Sequence, residues 1–286
     1  MTVEPQVDRG IEFKRGGIMS PMRTACWIAA GLVSLSIAQA QYSTGFENPP
    51  FASGALNGQD SWTSGGSVSV LTASEIETAL STSGLSIDSP VRSGDQALLV
   101  SGSGGGVTSR RAISGLESLT SVLLDVWVCP LGPREDVGAT SLGNIFLVVE
   151  DDSNATAGRA AALRFGYYDN GSGTVAPHVD VATSGTGIWQ DTGVSWEVGA
   201  WYNIRMNVDF AWQTYGVSLD GAPVAAEIPF YSGNVVDHFG AVRIYRGSNQ
   251  AGMLVDDLVV IPEPGAMSLL LLGGCALMWR RKVSAA

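Results

Sequence analysis

The fold is decided by residues 201–221, which read WYNIRMNVDFAWQTYGVSLDG. Between Tyr202 and Phe210 every second residue is apolar and the residues between them are polar, which is the period-2 pattern of a β-strand with one buried face. Residues 215–219 form a second short strand, and Asp220-Gly221 after them is a strong signal for a tight hairpin turn. The stretch therefore predicts neighbouring antiparallel strands that bury one face and expose the other.

Similar patterns recur along most of the chain, between connections rich in Gly, Ser and Thr. They predict strands at 67–72, 97–101, 121–128, 144–150, 161–168, 175–182, 201–210, 215–219, 240–245 and 253–260. Long helical periodicity is absent, and a single helical turn is predicted at 74–80, with Ser74 as its cap and Glu77 at the third helical position. Many short strands in one domain indicate an all-β fold, a two-sheet antiparallel sandwich or jelly roll.

The hairpin at 201–221 resembles the concanavalin-A-like or laminin-G-like lectin domains, in which a similar aromatic-to-Asp-Gly hairpin lies in the sandwich. Residues 253–260 resemble the last strand of that fold, and Gly45-Phe46-Glu47 resembles an opening strand that pairs beside it. The resemblance spans about 43–260 and implies a concanavalin-A-like sandwich.

The C-terminal segment has the parts of a membrane-sorting device. Pro262-Glu263-Pro264 is followed by the apolar run 266–279 and then by Arg280, Arg281 and Lys282. As a helix, this run would be about 21 Å long, shorter than the roughly 30 Å hydrocarbon core of a bilayer. The alternatives are a C-terminal core helix, which an all-round apolar surface disfavours, and a GPI signal, which usually lacks terminal cations.

This order of parts resembles the PEP-CTERM sorting signal of bacteria that make extracellular polysaccharide. The resemblance implies a short transmembrane helix that holds the chain briefly, and processing by an exosortase-type membrane protease near Pro262, Glu263 and Pro264. It also implies association with extracellular polysaccharide or with the outer cell surface.

The N-terminal segment predicts export. Arg23 precedes an apolar stretch at 25–38, and Ala38-Gln39-Ala40 is a typical signal-peptide cleavage site. Residues 1–18 are unusually polar for a signal peptide, so Met19 or Met22 is an alternative start. We therefore expect a signal helix within 1–40, a β-sandwich at 41–261 and a sorting segment at 262–286. The expected route runs through the inner membrane to the cell surface or extracellular matrix.

Charge and cysteine content narrow the function classes. Residues 41–264 hold nine Arg, no Lys and 24 Asp or Glu, a net charge of 9 − 24 = −15. Such a surface repels nucleic acid, and it suits a soluble exported protein or one that binds divalent cations.

Cys129 is the only cysteine in this region, so an intramolecular disulfide is impossible there. Its apolar surroundings in the sequence predict a buried thiol.

Sequence patterns of known catalytic sites are missing. Glycanases of this fold carry an alternating acidic strand, whereas Glu150-Asp151-Asp152 is contiguous and is predicted to be a loop tip. His178 and His238 fit neither a Ser-His-Asp triad nor a three-histidine zinc site. We therefore expect a non-catalytic structural or carbohydrate-binding protein. The alternative is a secreted polysaccharide-acting enzyme, a glycoside hydrolase or lyase, on the same fold.

Two candidate sites follow. By resemblance to sandwich carbohydrate-binding modules, Glu47 with Asp256 or Asp257 is the candidate for a structural Ca²⁺, whose preferred ligands are oxygens. The alternative is that these acids are solvated charges at the sheet edge. Trp189 and Trp212 lie in polar sequence contexts, so we expect them to be exposed and to be the candidate glycan contacts.

Overall fold

The computed structural model describes residues 42–101, 107–132, 145–169, 175–184, 188–231, 235–246 and 252–263. Within these residues the strands are β1 Tyr42–Thr44, β2 Gly54–Ala55, β3 Trp62–Gly65, β4 Val68–Thr72, β5 Gln96–Val100, β6 Val107–Ala112, β7 Ser121–Gly132, β8 Ile145–Glu150, β9 Arg159–Asp169, β10 Val175–Ala182, β11 Trp189–Val194, β12 Tyr202–Asp209, β13 Thr214–Leu219, β14 Ala222–Pro229, β15 Ala241–Arg246 and β16 Gly252–Pro262. One α-helix, α1, spans Ala73–Ser81, and short 3-10 turns lie at Gln59–Ser61 and Thr156–Gly158.

The strands form two antiparallel sheets. The nine-stranded sheet has the order β14-β13-β12-β7-β16-β5-β4-β2, and β1 pairs with β16 off this path. The seven-stranded sheet has the order β11-β10-β9-β8-β15-β6-β3. This arrangement confirms the predicted all-β, two-sheet antiparallel sandwich. The predicted signal helix and C-terminal transmembrane helix lie outside the described residues, among which no helix is long and apolar enough to span a membrane.

The core lies between the two sheets. Alternate side chains of both sheets pack into one buried cluster, which includes Val126 and Met206 from the nine-stranded sheet and Leu163 and Val242 from the seven-stranded sheet. Full burial of each such side chain contributes about 1.5–3 kcal/mol to folding. Tyr215 of β13 crosses this core, and its hydroxyl donates to backbone carbonyls of the opposite sheet. The period-2 pattern of the sequence therefore corresponds directly to the buried face of each sheet.

All ten predicted strands are present, with ends shifted by a few residues. The predicted opening strand at 45–47 was misplaced, because Tyr42–Thr44 is the segment that pairs with β16. Strands β2, β3, β6, β11 and β14 were not predicted. In β6 the inward-facing residues Ser109 and Arg111 are polar, so the strand lacks the apolar alternation that identifies its neighbours.

Helix α1 lies against the outer surface of the nine-stranded sheet. Its cap is Thr72, which forms a capping box with Glu75, rather than the predicted Ser74 with Glu77. Both spacings fit the capping pattern. The earlier start is the one the structure adopts, and it places Ile76 and Leu80 on a second buried cluster that includes Cys129. Cys129 is free and buried as predicted, and burial raises its pKa to about 12.

Candidate functional site

The outer face of the seven-stranded sheet carries an unusual number of charged side chains. Arg110 of β6 lies beside Arg243 of β15, and Arg164 of β9 lies beside Asp180 of β10. Arg159 is the register partner of Glu150 across β8 and β9. Residues that flank these positions in sequence, such as Leu163 and Val242, point into the core. The strict alternation of the strands therefore places these charges together on one surface.

Glu150 is the centre of one group on this face. Its Oε1 accepts from Arg110 Nε at 2.6 Å and from Arg243 Nη2 at 2.8 Å, and its Oε2 accepts from Arg243 Nε at 2.8 Å. Glu150 is 0% exposed. Arg243 also donates to Asn154, and Arg110 donates to the carbonyl of Asp151 at 3.1 Å. A fully buried carboxylate thus fixes two guanidinium groups. We call Glu150, Arg110 and Arg243 the Glu150 triad.

A second group combines cations with aromatic rings. The guanidinium of Arg159 lies 5.6 Å from the ring centre of Tyr231, the rings of Tyr231 and Trp189 are 5.9 Å apart, and Arg164 lies 4.5 Å from the ring of Trp189. Such cation–π and ring contacts contribute about 0.5–1.5 kcal/mol each. We call these four residues the arginine–aromatic ladder. Asp180, which is 0% exposed, accepts from Arg164 Nε at 2.6 Å and fixes that end of it.

Small residues of the sheet make room for the ladder. Tyr231 packs over Val148, Ala162 and Ala182, and Trp189 contacts the same buried group. The backbone N–H of Tyr231 donates to the carbonyl of Ala160 at 2.9 Å. The segment after β14 is therefore tied to β9 of the other sheet. In this position Tyr231 is buried and packs against Trp189, whose side chain is partly exposed.

The loop beside the Glu150 triad is closely packed. Asp151, Asp152 and Ser153 form a turn after β8, as predicted from their contiguous spacing. A side chain at position 240 would collide with the backbone of Asp151 and Asp152, so glycine is required there. His238 contacts Asp237 and Asp152, and the hydrogen bond with Asp237, followed by the one with Asp152, raises its pKa. Of the sequence Glu150-Asp151-Asp152, only Glu150 joins the charged face.

The candidate metal residues come together at the paired terminal strands. Asp256 and Asp257 belong to β16, and Glu47 follows β1. Glu47 Oε1 accepts from the backbone N–H groups of Asp95 and Gln96, both at 3.0 Å. Gly94 has φ +63°, and any side chain there would overlap the Glu47 carboxylate. The loop therefore closes over Glu47.

Hydrogen bonds also occupy the two aspartates. Asp256 Oδ2 accepts from the N–H groups of Arg92 at 3.0 Å and Ser93 at 3.1 Å, and Asp257 Oδ1 accepts from Ser93 Oγ at 2.7 Å. Burial, with a further contribution from the charge of Asp257, raises the pKa of Asp256 to about 7. Asp256 Oδ1 accepts from the N–H of Asp257 at 2.8 Å, so four oxygens of the three carboxyl groups face N–H or O–H donors.

The candidate calcium ligands are arranged for hydrogen bonding in this structure. Over the described residues, no three or more Asp, Glu, His or Cys side chains are arranged so that they could hold a metal ion. The resemblance identified residues that do lie together, but four of their oxygens accept from backbone N–H groups or from the hydroxyl of Ser93. As arranged in this structure, they do not fit a calcium ion.

The two candidate glycan contacts occupy different environments. Trp212, in the turn between β12 and β13, is 79% exposed, as expected. Trp189 lies in strand β11 and is half-buried under Arg164, so it is less exposed than expected. The polar context of Trp189 reflects an outward-facing edge strand rather than a loop.

Only part of the predicted sorting motif lies in the described residues. Pro262 is buried at the end of β16, where it pairs with Val122, and the N–H of Glu263 donates to the carbonyl of Ser121 at 3.4 Å. Pro264, Arg280, Arg281 and Lys282 lie outside the described residues, as do Ala38 and Ala40 of the predicted signal cleavage site.

The Glu150 triad and the ladder arginines were missed by sequence reasoning. The signal was available in part, because Arg159 and Arg164 occur within an otherwise apolar strand. The pairing of Arg110 with Arg243 depends on strands far apart in the chain. It could not be read from local spacing.

Comparisons with known proteins give only distant likenesses. No protein-family model and no curated protein matches the chain. It is similar to lectin II from Ulex europaeus, with a TM-score of 0.47 and 9% identity over 78% of this chain and 98% of that chain. It is also similar to alginate lyase Aly36B, with a TM-score of 0.45 and 16% identity over 78% and 96% of the two chains.

A sialidase is similar over 59% of this chain, with a TM-score of 0.41 and 10% identity, and this chain spans only 15% of its length. At such scores and identities these likenesses assign no activity to this protein.

Proposed function

We propose that this is an exported, non-catalytic protein that binds polysaccharide on the outer face of its seven-stranded sheet. One observation carries the proposal: a half-buried tryptophan and four arginines lie side by side on a rigid sheet surface, held by buried partners. Aromatic faces pack against the C–H surfaces of sugar rings, and guanidinium groups donate to sugar oxygens. Groups on strands are also positioned more accurately than groups on loops.

Rigid placement of these side chains supports binding. Glu150 and Asp180 fix the guanidinium groups of Arg110, Arg243 and Arg164 before any ligand arrives. Less side-chain entropy is therefore lost when a ligand binds. The buried Tyr231 is a positioning residue, because it supports Trp189 and Arg159 from beneath.

Binding can be tested with the full-length protein on an array of polysaccharides. The variant Trp189→Ala should weaken binding about tenfold, since a stacked aromatic contact of about 1–1.5 kcal/mol would be lost. Trp127→Ala is the matched control, because Trp127 also packs under an arginine, Arg92 at 4.0 Å, but belongs to the nine-stranded sheet. No binding to any polysaccharide would refute the proposal.

Export and surface sorting form the second part of the proposal. They are supported by the order of parts at the two ends of the sequence, with an A-x-A site at 38–40 and a Pro-Glu-Pro, apolar and cationic order at 262–282. We propose an exosortase-type protease as the processing partner and extracellular polysaccharide as the destination.

Mass spectrometry of the protein recovered from its own cells tests this part. We expect an N-terminus at Gln41, one residue before β1 begins. We expect the C-terminal cut to fall after Pro262, because Pro262 is paired within the sheet and a protease needs an extended, unpaired segment. Recovery of the intact chain from the cytosol would refute export.

A polysaccharide-acting enzyme remains the second candidate. One observation favours it: His178 Nδ1 lies 3.2 Å from Asp191 Oδ2 on the same face as Arg164 and Asp180. An imidazole oriented by a carboxylate can act as a general base. Release of reducing or unsaturated sugar from a polysaccharide panel, abolished in His178→Gln, would favour the enzyme over the binding protein.

A further inference from the structure

We infer that the ligand of this face is an anionic polysaccharide, one that carries carboxylate or sulfate groups along its chain. The inference rests on the proposed function, because it names the ligand class of the same face. It is drawn from the placement of charge on the outer surface of the seven-stranded sheet. That placement runs against the strongly acidic composition of the rest of the protein.

Arginine is concentrated on this face. Eight arginines lie in the described residues, and four of them are on the outer side of the seven-stranded sheet: Arg110, Arg159, Arg164 and Arg243. The region 41–264 has a net charge of 9 − 24 = −15. A long anionic polymer would be repelled by most of such a surface, so a local excess of cations is needed for it to bind.

Two of the three carboxylates described on this face, Glu150 and Asp180, are buried, while the third, Asp191, is 30% exposed and lies beside His178. Glu150 and Asp180 have side chains that are 0% exposed, whereas those of Arg110, Arg243 and Arg164 are 12–15% exposed. Glu150 accepts from the Nε and Nη2 atoms of its partners, so the Nη1 atoms of Arg110 and Arg243 do not bind it. At Glu150 and Asp180, a ligand that approaches the face therefore meets guanidinium N–H groups rather than carboxylate oxygens.

Arg159 is the strongest indication that the ligand is anionic. It lies opposite Glu150 in the register but forms no ion pair with any residue that the structure describes. Its guanidinium rests over Tyr231, and its Nε is buried without a hydrogen-bond partner among those residues. A buried, charged donor without an acceptor costs free energy, and an anionic oxygen would satisfy it. Arg159 thus adds a third guanidinium group beside the strand position of Glu150, whose carboxylate already pairs with Arg110 and Arg243.

The test compares polymers that share a backbone and differ in charge. Polygalacturonate is compared with its methyl ester, and dextran sulfate with dextran, on the full-length protein by binding to the immobilised polymers. We expect binding to at least one charged member and much weaker binding to its neutral partner. The two pairs distinguish a carboxylate from a sulfate. Binding to the charged polymer should fall steeply between low and high salt.

Arg159→Gln is the variant of choice, because no acid loses its partner when Arg159 is removed. We expect about tenfold weaker binding to the charged polymer, since one charge-assisted hydrogen bond is lost. Arg205→Gln is the matched control. It makes the same change in net charge, but Arg205 lies on the nine-stranded sheet, where its exposed side chain pairs with Asp125. The unfolding temperature of each variant shows that the fold is kept.

The outcomes distinguish failure of the anionic-ligand inference from failure of the proposed polysaccharide binding. Equal binding to charged and neutral polymers, or equal loss in both variants, would overturn the anionic ligand and leave polysaccharide binding intact. Binding to a charged polymer that is insensitive to salt would also overturn it. No binding to any polymer would overturn the proposed function together with this inference.

Discussion

Arg243 donates to both carboxylate oxygens of Glu150, with Nε to Oε2 and Nη2 to Oε1 each at 2.8 Å. The carboxylate is fully buried, and the side chain of Arg243 is 12% exposed. Burial of a charge is tolerated only when its partners satisfy it, so removal of one partner leaves the others unsatisfied. The Glu150 triad is thus a place where one substitution should strongly affect stability.

Glu150→Gln should lower the free energy of unfolding by about 3 kcal/mol, because two partly buried guanidinium groups lose their common counter-charge. Urea denaturation monitored by tryptophan fluorescence measures the effect. Arg205→Gln, which breaks a pair whose arginine is 54% exposed, should cost only about 0–1 kcal/mol. Equal losses in the two variants would contradict the structural role assigned to the triad.

The carboxyl group of Asp256 should make stability depend on pH. Its pKa rises from 3.8 to about 7 on folding, because the group is buried and lies beside Asp257. Between these values the folded chain binds more protons than the unfolded chain, so its stability falls as pH increases from about 4 to about 7. Ionisation of Asp256 removes about 4 kcal/mol across this window, and no further stability is lost above it.

Denaturant titrations at pH 4, 5, 6, 7 and 8 check this expectation, because this pH range roughly spans the two pKa values. Asp256→Asn should remove the downward slope, since an amide does not titrate in this range. Asp257→Asn should move the slope to lower pH, because the neighbouring negative charge is gone. An unchanged slope in Asp256→Asn would mean that another group titrates.

The fold could be predicted largely from local patterns. In 122–128 and 202–210 every second residue is apolar and most of these residues lie in the core between the sheets. The strands that were missed lack this alternation. Strand β14 contains Pro223 and lies at the sheet edge, and β6 directs Ser109 and Arg111 inward. Edge position and the depth of a polar residue depend on tertiary packing, which local patterns do not contain.

The candidate sites were predictable to different degrees. Glu47, Asp256 and Asp257 could be placed together by resemblance, since the first and last strands pair. Their hydrogen bonds to Ser93 and to the loop at 92–96 were not foreseeable, because that loop lies far away in sequence. The Glu150 triad likewise joins strands separated by 40 and 93 positions. Such groups follow from sheet topology.

Calcium should not stabilise the protein at neutral pH. The Glu47 and Asp256 oxygens already accept backbone hydrogen bonds, and N–H groups that point at a carboxylate oppose a cation at the same oxygens. Titration of the full-length protein with CaCl₂ should therefore give neither binding heat nor a higher unfolding temperature. A clear rise in that temperature, lost in Asp257→Asn, would restore the calcium site predicted from the sequence.

The two candidate glycan tryptophans should behave differently in stability and in binding. Trp212→Ala should change the free energy of unfolding by no more than about 0.5 kcal/mol, because the side chain is 79% exposed. Trp189→Ala should cost about 2 kcal/mol, since it removes contacts with Tyr231 and Arg164. If the sheet face binds polysaccharide, Trp189→Ala also weakens binding while Trp212→Ala leaves it unchanged. The reverse order of binding losses would move the binding surface to the β12–β13 turn, where Trp212 lies at the tip of the hairpin.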